Sequence, residues 1–127
     1  MTIRVLLALL ALGFCFQAEA AKLVLWGAGG QSCGAWTKAQ AHRPPVQPGV
    51  HYSALTPEYV QMAAQLNWLD GFLSASVWFR QSNIAEGTDA NGIYGWIDGY
   101  CTSHPLDQIS DAAVSLLGEL SKRQTAQ

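Results

Sequence analysis

The chain has 127 residues, of which 13% are charged, and a formal net charge of −2. That is the length of one domain, too short for a second folding unit, and it lacks the clustered cations that neutralise phosphates, so nucleic acid is excluded as a partner. Half of the residues are apolar and five are tryptophan, which supplies large side chains for a small core.

Residues 1–20 read as a cleavable secretory leader. Arg4 gives the positive start, Val5 to Phe16 form the apolar run, and Ala18-Glu19-Ala20 provides the small residues at the exit. An apolar run of about 12 residues falls short of the roughly 20 that span a bilayer as a helix, so no stable membrane insertion is expected after cleavage. Lipid attachment at Cys15 is disfavoured by the bulky Phe14 before it. The destination is periplasmic or secreted, where thiols oxidise. Removal of the leader leaves Cys33 and Cys101, which permit a single intramolecular pairing. That disulfide closes a loop of about 67 residues, for which loop entropy gives roughly 4 kcal/mol. Metal thiolate chemistry would need more ligands than either cysteine has nearby.

Residues 21–50 form a Gly/Pro-rich N-terminal segment tethered by Cys33. Gly27-Ala28-Gly29-Gly30 is one breaker cluster, and Pro44, Pro45 and Pro48-Gly49 are another. Between them Ser32 to Ala41 is expected to hold a short helix, with Ser32 as N-cap and Trp36 turned inward. Residues 51–127 form the helical domain. Thr56-Pro57-Glu58 combines a hydroxyl cap, a proline fixed at the first helical position and an early acid, and so opens a long helix. Tyr59, Met62, Leu66, Leu69, Leu73 and Val77 recur at three- and four-residue spacing on one face. Trp68, Phe72, Ala75 and Phe79 form a second stripe, so the later half is expected to be covered on both sides. Gly71, Ser74 and Ala75 are expected to admit another backbone at close range.

Asp89 caps the next helix, on which Ile93, Trp96, Ile97, Tyr100 and Cys101 share a stripe. The cost of Gly92, Gly95 and Gly99 predicts close packing there. Ser103-His104-Pro105-Leu106-Asp107 repeats the pattern of cap, proline and acid, and predicts a last helix with Leu106, Ile109, Ala113, Leu116, Leu117 and Leu120 inward. Lys122 and Arg123 suit its end. Val50-His51-Tyr52 is the one short strand candidate, and no internal repeat is present. The fold class is therefore all-α, a small bundle of three to four helices stapled by one disulfide.

Motifs for chemistry are lacking. Glu58, Asp89 and Asp107 sit where helix starts favour negative charge, while Asp98 and Asp70 read as structural acids. His42, His51 and His104 form no pair, and the Cys101-x-x-His104 spacing is useless for a metal once Cys101 is in a disulfide. Asp89-Ala90-Asn91-Gly92 lacks the further ligands of a calcium loop. Neither a nucleophile elbow nor a phosphate-cradling loop occurs. No catalytic residue, cofactor or metal is assigned, and the chain is not expected to be an enzyme. Trp26 and Trp78, with Pro44 and Pro45, are the candidates for a contact surface, since exposed tryptophan is enriched at binding hot spots. The rival reading is a ligand pocket lined by Trp68, Phe72 and Trp96 with Asp70 or Asp98 as its polar group.

Ser32-Cys33-Gly34-Ala35-Trp36, Gly71-Phe72-Leu73-Ser74, Trp96-Ile97-Asp98-Gly99-Tyr100-Cys101 and His104-Pro105-Leu106-Asp107 resemble segments of small exported bacterial proteins. More distantly the chain is similar to the disulfide-linked helical HdeA-type acid-stress chaperones and to the immunity proteins that block type VI secreted amidases. The resemblance implies a protein partner and a homodimer. The chaperone likeness implies a dimer that opens at low pH to hold clients. The immunity likeness implies an inhibitor of a secreted cell-wall enzyme, with Arg43-Pro44-Pro45-Val46-Gln47-Pro48 as a plugging loop. The expected function is protein–protein interaction of HdeA-like character, the alternatives being such an inhibitor or a small-ligand binder.

Overall fold

A computed structural model describes residues 25–44 and 56–125; the leader, Pro45 and the strand candidate Val50-His51-Tyr52 lie outside the described residues. A 3-10 turn over Gly27–Gly30 leads into four α-helices: α1 Cys33–Gln40, α2 Pro57–Arg80, α3 Ala90–Ser103 and α4 Ile109–Thr125. Among the described residues there is no strand, only an isolated antiparallel bridge between Ser32 and Gln108. The all-α bundle is thus present, and so is its staple: the Cys33 and Cys101 sulfurs are 2.03 Å apart and their Cα atoms 4.6 Å apart. No helix among the described residues is long and apolar enough to cross a membrane.

Three helix starts follow from local chemistry. The Ser32 hydroxyl accepts from the Ala35 amide at 3.2 Å, the Thr56 hydroxyl from Tyr59 at 3.2 Å and the Asp89 carboxylate from Gly92 at 2.8 Å. Each satisfies an amide that the helix itself leaves unpaired, worth about 1 kcal/mol. α2 stops at Gln81, whose φ of 51° is left-handed and whose amide turns back to the carbonyls of Trp78 and Val77, a C-cap geometry usually taken by glycine.

The short α1 is the centre of the assembly. It packs against α2, α3 and α4, while the 3-10 turn lodges against α2 and α4. Trp36, Leu69, Ile97, Ile109 and both half-cystines are fully buried. Leu73, Ile84, Tyr94, Ala112, Ala113, Leu116 and Leu120 complete the same core, so α1 and the helices that follow share one hydrophobic interior.

Several sequence expectations need correction. The last helix begins at Ile109, not in Ser103-His104-Pro105, and Leu106 is 94% exposed where an inward position was expected. The backbone there is engaged elsewhere: Cys33 donates to the Asp107 carbonyl at 2.7 Å, Gly34 to Pro105 at 3.0 Å and Ile109 to Gln31 at 2.9 Å. These long-range bonds outcompete one extra helical turn. The second stripe of α2 is covered only in its first part. Trp68 and Phe72 stack at 5.3 Å, with Trp68 against the 3-10 turn, whereas Ala75 and Phe79 face solvent. The fit against Trp68 is tight, because a Cβ on Gly29 would lie 2.0 Å from its Cζ2. Among the described residues nothing lies within 4 Å of where a Cβ would stand on Gly71, Gly95 or Gly99, so the close packing expected there is absent, whereas the Pro105 carbonyl comes within 3.4 Å of that point on Gly34.

Candidate functional site

The polar interior is built around Asp98, which α3 presents toward α1. Its Oδ1 accepts from the indole Nε1 of the buried Trp36 at 2.7 Å and from Arg43 Nη1 at 3.3 Å, and its Oδ2 accepts from Arg43 Nη2 at 2.5 Å. The Arg43 side chain is 15% exposed and that of Asp98 38%. Such bidentate pairing fixes the guanidinium plane as well as its charge. Arg43 also lies 5.2 Å from the centroid of the Tyr94 ring, within cation–π range.

From Arg43 a chain of amides runs through the molecule. Arg43 donates to Gln40 at 3.1 Å, Gln40 to Gln65 at 2.9 Å and Gln65 to Gln31 at 2.9 Å, with Gln61 also donating to Gln31 at 2.6 Å. Gln65 is fully buried and Gln40 nearly so. Among the described residues no buried side-chain nitrogen or oxygen is left without a partner, as a low-dielectric interior requires.

The second structural acid is used in the same way. The Tyr94 hydroxyl donates to Asp70 at 2.8–2.9 Å and so ties α3 to α2. Burial, and then this bond to a carboxylate, push the Tyr94 phenol well above its ordinary range. On the far side of α3 Trp96, Tyr100 and His104 stack in succession, at 5.7 and 4.4 Å between centroids. Tyr100 donates to Asp107 at 2.9 Å, and that bond raises its pKa. His104 Nδ1 lies 3.0 Å from the Tyr100 carbonyl. Asp98, Asp70 and Asp107 therefore each spend their lone pairs on internal donors. The arrangement holds helices in place.

Trp68 and Phe72 pack together on α2, whereas Trp96 stacks along α3 against Tyr100, so the residues of the rival pocket are distributed over two separate contacts. Trp68 and Trp96 are half-buried. The contact-surface candidates are placed as follows: Trp26 is 86% exposed, Trp78 is 73% exposed, Pro44 is half-buried and Pro45 falls outside the described residues. Phe79, beside Trp78, is 84% exposed. Pro44 borders a cleft of about 240 Å³ that Lys38 and His42 line from one side and Glu58, Tyr59 and Met62 from the other. The sequence does not single out Gln40, Gln65 or Tyr94, and it marks Arg43 only as the first residue of the proline-rich segment. For Tyr94 a signal existed, since Tyr94, Ile97 and Cys101 follow helical spacing. For Arg43 none did, because no local pattern joins residues 55 positions apart.

Comparisons with known protein families, with characterised proteins and with solved structures return no match.

Proposed function

We propose that this chain is an exported protein that acts by holding another protein, in the manner of an HdeA-like chaperone. The observation that carries this reading is the distribution of its side chains. The interior acids are committed to structural bonds, while three of the largest apolar side chains, Trp26, Trp78 and Phe79, stand in solvent. Large exposed aromatics are anchors for apolar segments of a partner. The test is aggregation of an unfolded client, followed by light scattering at neutral and low pH. Suppression that is lost in Trp78→Ser and Phe79→Ser is expected, and no protection at any pH overturns the chaperone reading. Export itself is tested by the N-terminus of the protein recovered from the cell envelope, which is expected at Ala21.

A second reading, inhibition of a secreted cell-wall enzyme, draws support from the anchoring of Arg43. The residue that opens the proline-rich segment is clamped to α3 by Asp98. Anchoring of its first residue lowers the ordering cost of a binding segment. Inhibition of a purified cell-wall amidase, abolished by Pro44→Gly with Pro45→Gly, is the outcome this reading expects.

A further inference from the structure

The start of α3 carries a reactive pair of residues. The side-chain carbonyl carbon of an asparagine is open to attack by the backbone nitrogen of the residue that follows it. Glycine obstructs that attack least, having no Cβ and the widest backbone freedom. Asn67 precedes Trp68, Asn83 precedes Ile84, and Asn91 alone precedes a glycine. Asp70-Gly71 and Asp98-Gly99 could close the same ring, but both lie beyond the first turn of their helices, with their carboxyl groups held by Tyr94 and by Trp36 and Arg43. Asn91 and Gly92 are exposed and belong to the first turn of α3, and helix ends are where a fold opens most easily.

A single bond governs that opening. The Gly92 amide, the nitrogen that attacks, donates to the Asp89 carboxylate at 2.8 Å. A helical backbone points this N–H along the axis toward the helix start, away from the Asn91 side chain. Attack therefore requires the cap bond to break and the turn to unwind. The absence of a side chain at Gly92 lets the cap close in, since a Cβ there would already stand 3.4 Å from Asp89 Oδ1 and from Thr88 Cγ2.

We propose that Asn91-Gly92 is a site of self-modification by deamidation, held in check by the Asp89 cap. In the opened turn the Gly92 nitrogen gives up its proton to solvent and bonds to Asn91 Cγ. The bond from Cγ to the side-chain nitrogen breaks and ammonia leaves, closing a five-membered succinimide. Water then opens the ring. Addition at Cγ restores the ordinary main chain with aspartate at position 91, whereas addition at the backbone carbonyl leaves isoaspartate, whose main chain runs through Cβ and Cγ. Water is the one co-reactant, and the open groove that Gly92 lines with Gly87, Thr88, Asp89 and Arg123 brings it to the step. The two products act oppositely. Aspartate adds a negative charge to a first turn that holds no acid, where the helix dipole favours one. Isoaspartate lengthens the main chain by a carbon and breaks the helical register. This chemistry needs neither client nor partner and is independent of the proposed function.

Ageing the oxidised chain at mildly alkaline pH, followed by peptide mass mapping and isoaspartyl methyltransferase labelling, tests the proposal. Asn91 should convert to aspartate and isoaspartate while Asn67 and Asn83 stay intact, faster at higher pH because the attacking amide must lose its proton. Asp89→Ala should speed conversion about two- to thirtyfold, the equivalent of the roughly 0.5–2 kcal/mol of an N-cap at about 1.4 kcal/mol per tenfold. Asp89→Ser, which keeps a cap of nearly equal strength, should stay close to the wild-type rate, and circular dichroism checks that both variants are folded. In urea the wild type and Asp89→Ala should convert at the same, higher rate. Native Asn91 that survives more than about a hundredfold longer than in the unfolded wild type overturns the proposal, because the turn then does not open on its own. An Asp89→Ala rate equal to or below that of the wild type overturns it as well, since the carboxylate would then be no brake, and so does equal conversion at Asn67 or Asn83.

Discussion

Replacing Asp98 with alanine probes the joint that holds α1 against α3. Two donors lose their acceptor. The Trp36 indole N–H belongs to a side chain with no solvent exposure, so its orphaned hydrogen bond costs about 1–3 kcal/mol. Arg43 keeps its bond to Gln40 and its place over the Tyr94 ring. Because Asp98 is 38% exposed, water already screens the ion pair, and its loss adds only about 1 kcal/mol. The sum is about 2–4 kcal/mol, a large share of the stability of a domain this size. In urea, with an m-value of about 1–1.5 kcal/mol/M, the midpoint of unfolding should fall by about 1–4 M. Asp98→Asn, which retains one oxygen for the indole, should lose less. The decisive measurement is the double-mutant cycle of Asp98→Ala with Trp36→Phe, which should return a coupling of about 1–2 kcal/mol. A coupling near zero, or an Asp98→Ala midpoint within about 0.3 M of wild type, would refute the account of the joint.

Two glycines should respond with opposite signs. Gly29→Ala forces a Cβ into the Trp68 ring and should destabilise by about 1–3 kcal/mol, whereas Gly95→Ala, in open space mid-helix, should stabilise by about 0.5–1 kcal/mol; thermal melts read both. Replacing Cys33 and Cys101 together by serine should lower stability by about 4 kcal/mol in chemical unfolding of the isolated chain. The raised Tyr94 pKa predicts alkaline weakening. The phenol holds its proton more tightly folded than unfolded, so the contribution is complete below the unfolded pKa of about 10 and is lost as pH rises above it toward the folded value. Melting temperature measured upward from neutral pH should turn down beyond about pH 10, less steeply in Tyr94→Phe, and phenolate absorbance should show Tyr94 ionising last.

What could be read from the sequence was what local chemistry decides. Ser32, Thr56-Pro57 and Asp89 mark helix starts because a cap acts on amides three residues away. The cysteine pairing followed from parity once the leader is set aside, and the disulfide is present. The failures lie where distant segments compete for the same groups. Ser103-His104-Pro105 carries the same start signal as Thr56-Pro57, yet its following carbonyls accept from Cys33 and Gly34, which no local rule foresees. Asp98 was legible as an acid among stripe residues, but its partners Trp36 and Arg43 lie 62 and 55 positions away. The buried glutamines were invisible for the same reason: a polar residue reads as surface unless its amide partners are known.

The central position of α1 has a kinetic consequence. The helix on which the others converge is one of the shortest elements and stands near the start of the described chain, while its covalent and hydrogen-bonded partners at Cys101, Pro105 and Asp107 come about 70 residues later. Its contacts are of high sequence separation, and such contacts must be formed against loop-closure entropy before they return anything. α2, α3 and α4 can gain helical structure while α1 is still unplaced, so ordering of α1 is the late, slow event. Formation of the disulfide converts that search from a long loop to a tethered one, and the oxidised chain should refold markedly faster than the reduced.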